Sequence, residues 1–297
     1  MRALVTGAAG FIGRHVVPLA AARGIEVIAV SRTQTGAAEG VRWVTGDVLA
    51  DGSLDAVIER EQPTHLLHLA WITEPGTYWT SPDNAKWAAA SARLFERFYS
   101  ANGKRAVAAG TCAEHDWSGA RVDDHTALRP RTPYGVAKQH ARESLATLAG
   151  RAGASHAWGR IHFLFGDGEP ATRFFPSLAR PLLRGQPAIC RKPSLVRDWL
   201  HVADVAAAFV ALLDAPIEGA VSIVSGEAVS HGDLARRIAA EARHPECLHV
   251  GDTLPDAGEP LEIRGTAGAL ADHWAPRLSL DTGIIRAVAS LRESTTA

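Results

Sequence analysis

Tyr134 and Lys138 stand four residues apart in the run Pro133-Tyr134-Gly135-Val136-Ala137-Lys138. At the start of a helix, that spacing puts both side chains on one face. A free phenol ionises near about pH 10 and needs help to exchange protons at neutral pH. An ammonium beside it favours the phenolate and lowers that value. Thr111, at the end of an earlier apolar run, adds a hydroxyl that can hold a substrate oxygen beside the phenol. The three suit proton transfer at an alcohol or ketone oxygen while a hydride moves at the carbon. A Tyr-x-x-x-Lys pair alone describes many helix surfaces, so the assignment depends on the elements that position it.

The first of these is the N-terminus, MRALVTGAAGFIGRH. A short apolar strand over Arg2–Thr6 runs into Gly7-Ala8-Ala9-Gly10-Phe11-Ile12-Gly13, and a helical pattern follows. The order strand, glycine turn, helix start is the one a dinucleotide site needs. Gly7 permits the turn, Gly10 lets the backbone approach a pyrophosphate, and Gly13 lets the helix lie on the strand. The phosphates then meet the free N–H groups at the helix N-terminus. A second strand over Glu26–Val30 closes at Ser31-Arg32. A carboxylate there would select NAD through a ribose hydroxyl; a hydroxyl beside a guanidinium suits a 2′-phosphate. NADP(H) is therefore the expected cofactor, with NAD(H) the alternative.

A third strand over Arg42–Val44 leads to Asp47-Val48, where Asp47 either accepts from an adenine amino group or caps the next helix, which runs to about Gln62. A fourth strand over His65–Ala70 brings Leu69, Ala70 and Trp71 to the cleft, with His68 read as a packed histidine. A helix over Asn84–Ala101, a strand over Arg105–Ala109, a helix from Pro133 to about Leu148 and a strand over His156–Leu164 continue the alternation. It predicts a doubly wound parallel sheet. Further on, helices are expected from Phe174 to about Arg184, over Val202–Leu213 and from Ser230 to about Arg243. A strand is expected over Ala220–Val224, and a loop-rich chain beyond Pro245.

The 297 residues can bury a full core. A net charge of -1 gives no electrostatic footprint for nucleic acid or an anionic membrane. No stretch is long and apolar enough to span a bilayer, and a strand starting at the first residues leaves no room for a signal peptide. Cys112, Cys190 and Cys247 fit reduced thiols in a cytoplasmic protein. The 13 histidines have no ligand spacing, so no metal is expected.

The segments TGAAGFIG, GDV with Asp47, HLAW, Asn84, GTCAEH with Thr111, YGVAK, FGDGEP and RDWLHVADVA together resemble an extended short-chain dehydrogenase/reductase of the NAD-dependent epimerase/dehydratase family. The likeness covers nearly the whole chain. It implies a nucleotide-sugar substrate, catalytic roles for Thr111, Tyr134 and Lys138, and cofactor contacts at Gly7, Gly10, Gly13, Asp47 and the Leu69-Ala70 backbone. It also implies a dinucleotide-binding Rossmann domain (1–164 and 200–226), a smaller α/β substrate lobe (165–199 and 227–297) and a homodimer through the helices near 84–101 and 134–149. Arg173 and Arg197 are candidates for a sugar-nucleotide pyrophosphate, with Arg264 a weaker one and Phe174 beside them; Asp198 is an alternative partner for Arg197. Cys112 would be a small apolar neighbour of the site.

Two departures matter. The dehydratase branch follows its catalytic Thr with an acidic pair; here Cys112-Ala113 stands there, and only a shifted loop would return Glu114 to the substrate. The epimerase branch has an acid after the second strand, where Ser31-Arg32 stands. The run GTCAEHDW followed by TPYGVAK resembles the nucleotide-sugar 4-ketoreductases of deoxysugar pathways most closely, and Ser31-Arg32 suggests NADPH as their reductant. A nucleotide-sugar epimerase (or dehydratase) with trapped NAD is the alternative, and a non-catalytic NADP-binding protein is the reading of another class.

Overall fold

The computed structural model describes residues 1–33, 36, 38–256 and 258–296, with side chains as far as Glu293. The first half alternates as expected: β1 (Arg2–Thr6), α1 (Gly13–Ala22), β2 (Glu26–Ser31), β3 (Val41–Thr45), α2 (Asp55–Glu61), β4 (His65–His68), α3 (Asp83–Ser100), β5 (Arg105–Thr111), β6 (Arg121–Val122) and α4 (Pro133–Ala152). The second half has more strands: β7 (Ser155–Ile161), β8 (Phe163–Phe165), α5 (Phe174–Leu182), β9 (Ala188–Cys190), β10 (Val196–His201), α6 (Val202–Leu212), β11 (Gly219–Ile223), β12 (Ala228–Ser230), α7 (His231–Ala242), β13 (Leu248–Val250), β14 (Glu262–Gly265) and α8 (Leu280–Thr296).

Seven parallel strands form the main sheet in the order β11-β7-β5-β4-β1-β2-β3. Its central strands are mostly apolar, and all seven residues of β5 are buried, as a sheet covered on both faces requires. On one face α1 and α6 pack Val16, Val17, Val205 and Phe209 against it. On the other, α2, α3 and α4 contribute Ile58, Phe95, Phe98 and Leu145. Phe95 and Phe98 are wholly buried, and burial of such a ring contributes about 1.5–3 kcal/mol. The strand order reverses between β1 and β4, and ligands bind at such a switch point, beyond the carboxyl ends of the strands.

A smaller sheet, β12-β10-β14-β6 with β8 paired to β10, and the pair β13-β9 build the second layer. Its core joins α5, α7 and α8 through Phe175, Leu178, Leu234, Ile238, Ile284 and Val288.

The structure departs from three expectations. The apolar run 156–164 is two strands: β7 pairs with β5 and β11, whereas β8 pairs with β10 of the other sheet. The chain beyond Pro245 holds a 17-residue helix, α8; its polar first turn and Gly283 hide the apolar period of Ile284, Ala287 and Val288. Asp47 caps no helix, because α2 starts at Asp55 and the Asp47 carboxylate instead accepts from the Leu49 N–H at 3.0 Å.

Candidate active site

Gly7 adopts a φ of +69°, which favours glycine, and a Cβ there would lie 2.7 Å from the Ala70 nitrogen. The turn after β1 and the end of β4 are thus in backbone contact. A Cβ at Gly13 would lie 2.1 Å from the Gly7 oxygen, so the first turn of α1 rests on the glycine turn. At Gly10 the nearest outside atom is the Gly7 oxygen, at 3.1 Å, and the remaining side is open. Helix α1 starts with no side-chain cap and no acid in its first turn, which leaves its N-terminal N–H groups for an anion. This cradle fits a dinucleotide pyrophosphate.

Thr111 ends β5 and caps the short 3-10 turn Cys112–Glu114, accepting from the Ala113 N–H at 3.2 Å. Helix α4 starts against that turn. Thr132 caps it through the Gly135 N–H at 3.1 Å, Pro133 occupies its first position, and a Cβ at Gly135 would come within 2.4 Å of the Ala113 oxygen. The close approach brings Tyr134 to Thr111. Rings of Tyr78 and Trp79 meet the Tyr134 ring edge-on at 5.0 and 5.5 Å. One turn on, Lys138 donates to the Ala109 oxygen at 2.9 Å, and its ammonium lies 3.8 Å above the Trp71 ring. The Trp71 indole N–H in turn donates to Asn84 at 2.9 Å.

The electrostatics depart from the expectation that Lys138 lowers Tyr134. Burial, reinforced by the Tyr78 phenol, pushes Tyr134 up, with a hydrogen bond from Thr111 opposing it. Burial also pushes Lys138 down to about 7, against the pull of Glu114. The ammonium lies 6.0 Å from the Tyr134 ring centroid, so burial outweighs it.

Gly7, Gly10, Phe11, Ile12, Gly13, Leu69, Ala70, Trp71, Thr111, Cys112 and Tyr134 all line one cleft of about 450 Å³, with Arg173 and Phe174 on its far wall. The family model for the NAD dependent epimerase/dehydratase family matches residues 3–225. The chain belongs to this family. It is 26% identical over 318 residues to a UDP-glucose 4-epimerase of Rhizobium meliloti, covering 93% of each chain. It is 27% identical over 190 residues to a dTDP-6-deoxy-L-talose 4-dehydrogenase (NAD(+)) of Aggregatibacter actinomycetemcomitans, covering 63% of this chain and 68% of that one. The fold matches that of the Thermus thermophilus UDP-glucose 4-epimerase in complex with NAD, with a TM-score of 0.88, 24% identity and coverage of 98% and 99%.

Within this family member, several candidate residues lie elsewhere. Glu114 is fully buried and accepts from the Thr111 N–H, the Trp158 indole and Arg160, each at 2.9 Å. It is a scaffold carboxylate, closed to substrate because these protein donors occupy it. Arg197 is also buried and donates to the Val196 and Leu261 oxygens; Asp198 holds Ser225 and Gly226 instead. Arg264 is tied to Glu262 at 2.8 Å. Glu114, Arg197 and Arg264 all lie outside the cleft lining. Asp47 and Val48 line a separate depression against α3. Ser31 caps the turn at Thr33, and Arg32 is exposed. His68 is packed, bonded to Thr6 at 2.7 Å and Ser91 at 2.9 Å. Among the described residues, one group of possible metal ligands occurs, His244, Glu246 and Cys247, with donor atoms within 4.8 Å of one another; it lies outside the cleft lining.

The sequence reading passed over several cleft residues, among them Tyr78, Trp79, His162, Glu169, Trp199 and His231. They come from loops, from the second sheet and from the start of α7, and no spacing links them to Thr111 or Tyr134.

Proposed function

We propose that this chain reduces the 4-ketone of a nucleotide sugar with NADPH. Thr111 and Tyr134 in one cleft with the glycine cradle, and Lys138 behind that lining on the Ala109 oxygen, carry the redox reading. Relatives that act at the 4-position of nucleotide sugars support the substrate. The exposed Arg32 after β2, with no carboxylate at Ser31-Arg32, supports NADPH and net reduction. In this reading residues 1–164 and 200–226 carry the cofactor, and 165–199 and 227–297 carry the sugar nucleotide.

A bound nicotinamide dinucleotide supplies the hydride. Gly7, Gly10 and the start of α1 hold its pyrophosphate, and the Leu69-Ala70 backbone borders it. Lys138, whose ammonium donates to the Ala109 oxygen, would hold a ribose hydroxyl in this reading. Thr111 holds the substrate carbonyl oxygen, and Tyr134 delivers a proton to that same oxygen as charge develops on it. Tyr78, Trp79 and Trp71 exclude water around the phenol.

Purified protein is denatured and any released nucleotide identified by mass, and the nucleotide-free protein is titrated with NADPH and NADH. Bound NADP, or an empty site preferring NADPH, is expected, followed by turnover of a 4-keto nucleotide sugar. Stoichiometric NAD that survives purification overturns the reductase reading. It would favour the second reading, an epimerase, which the full-length match to a UDP-glucose 4-epimerase supports. We also propose a homodimer through the outer face of α3 and α4, where Ala85, Ala88, Ala89, Ala92 and Val136 line a shallow groove.

A further inference from the structure

Buried polar atoms in folded proteins are nearly always hydrogen-bonded, and each exception calls for an explanation. In this chain, several such exceptions gather in the active cleft. His162 and Glu169 are each 6% exposed, as is Trp199. Both ring nitrogens of His162, the Glu169 Oε2 and the Trp199 indole nitrogen have no partner among the described residues. All three residues line the cleft that holds Thr111 and Tyr134. His162 directly follows Ile161, the residue in register with Thr111 across the β5–β7 pair. Glu169 sits on the turn before α5, near Arg173, and Trp199 stands on β10, stacked on Phe174 at 5.5 Å.

The types of the unsatisfied atoms narrow the ligand. A neutral imidazole offers one donor and one acceptor, an indole only a donor, and a protonated carboxyl one donor and one acceptor. Burial pushes His162 down to about 3 and Glu169 up to about 8, so both are neutral at pH 7. A phosphate brings acceptors alone and would leave the imidazole and carboxyl acceptors unpaired. Hydroxyl groups donate and accept. The Phe174 and Trp199 rings add a flat apolar wall for the C–H face of a saturated ring.

We propose that His162, Glu169 and Trp199 are the hydroxyl-recognition residues of the cleft, holding a neutral, hydroxylated sugar ring against the Phe174–Trp199 wall with its reacting oxygen at Tyr134. The assignment rests on the nucleotide-sugar reading above and names how the sugar, as distinct from the nucleotide, is held.

The test separates the two. Wild-type protein saturated with NADP⁺ is titrated calorimetrically with UDP-glucose and dTDP-glucose, and with UDP and dTDP alone. The affinity gained from the sugar is the quantity read. W199F keeps an aromatic ring and loses the N–H; E169L removes both carboxyl oxygens, and H162F removes both ring nitrogens. Each is expected to lose at least about fivefold of the sugar's increment, the scale of one buried hydrogen bond, while its affinity for the nucleoside diphosphate and for NADPH stays at the wild-type value. Equal loss for the diphosphate and its sugar overturns the assignment, because the effect then lies in the fold or the nucleotide. A full increment in all three variants also overturns it, with the substrate reading intact. Wild-type protein that binds neither nucleotide sugar nor diphosphate overturns the nucleotide-sugar reading and this assignment together.

Discussion

Tyr134 and Lys138 carry the chemistry in the proposed reaction, and their burial gives each a measurable signature. Tyr134→Phe removes the proton donor without opening a cavity. We expect turnover to fall by at least about a hundredfold, the scale of general acid catalysis, with NADPH affinity unchanged by fluorescence titration; near-normal turnover would remove Tyr134 from its role. Lys138 is pushed down to about 7 in the fold from an ordinary 10.5. Between those values the unfolded chain holds more protons than the folded one, so this residue makes stability rise with pH. Lys138→Met is expected to flatten the rise in Tm between pH 7 and 10 in cofactor-free protein; an unchanged slope would mean that Lys138 stays charged in the fold. At this scale the sequence was a good guide to identity and a poor one to state. The four-residue spacing placed Tyr134 and Lys138 on one face, but burial, which reverses their expected titration, is set by Trp71, Tyr78 and Trp79 from a distant loop. The scaffold role of Glu114 was illegible for a related reason: its partners Trp158 and Arg160 lie on β7, the strand beside β5.

At the scale of elements, the active site depends on how closely α4 approaches the turn after β5. Gly135 permits that approach, and Gly150 in the same helix faces open space. Gly135→Ala must push α4 off the Ala113 oxygen, and overpacking of this kind costs about 1–3 kcal/mol. Activity should fall with it, since Tyr134 moves relative to Thr111. Gly150→Ala should instead stabilise by up to about 1 kcal/mol. Chemical denaturation of both variants checks the pair, and a neutral Gly135→Ala would show that α4 has slack. The alternation of strands and helices was legible because each element of the main sheet is apolar at its own period. Most elements of the second sheet are two to four residues long, too short for a period to be read, which is why β6, β9, β12, β13 and β14 escaped notice; the six residues of β10, Val196–His201, interleave Arg197, Asp198 and His201 with apolar ones and show no apolar run. His162, Trp199 and His231 escaped with them.

For the whole molecule, the proposed homodimer would pair the outer faces of α3 and α4. Small residues permit close helix packing there, and Ala89 is exposed on it. Ala89→Arg is expected to turn a dimer into a monomer in light scattering, with NADPH affinity retained; a wild-type protein that is already monomeric removes the proposal.

The split of the run 156–164 has a consequence for how the molecule comes apart. Residue 161 ends a strand of the large sheet and residue 163 begins a strand beside β10 in the small one, while β10 runs straight into α6 beneath the large sheet. The two layers are stitched at several points along the chain, and one stitch passes through the cleft at His162. Neither layer can melt without dragging a strand or helix of the other. Calorimetry should therefore show a single endotherm whose van't Hoff and calorimetric enthalpies agree, and substrate held at that seam should raise its midpoint for both layers at once.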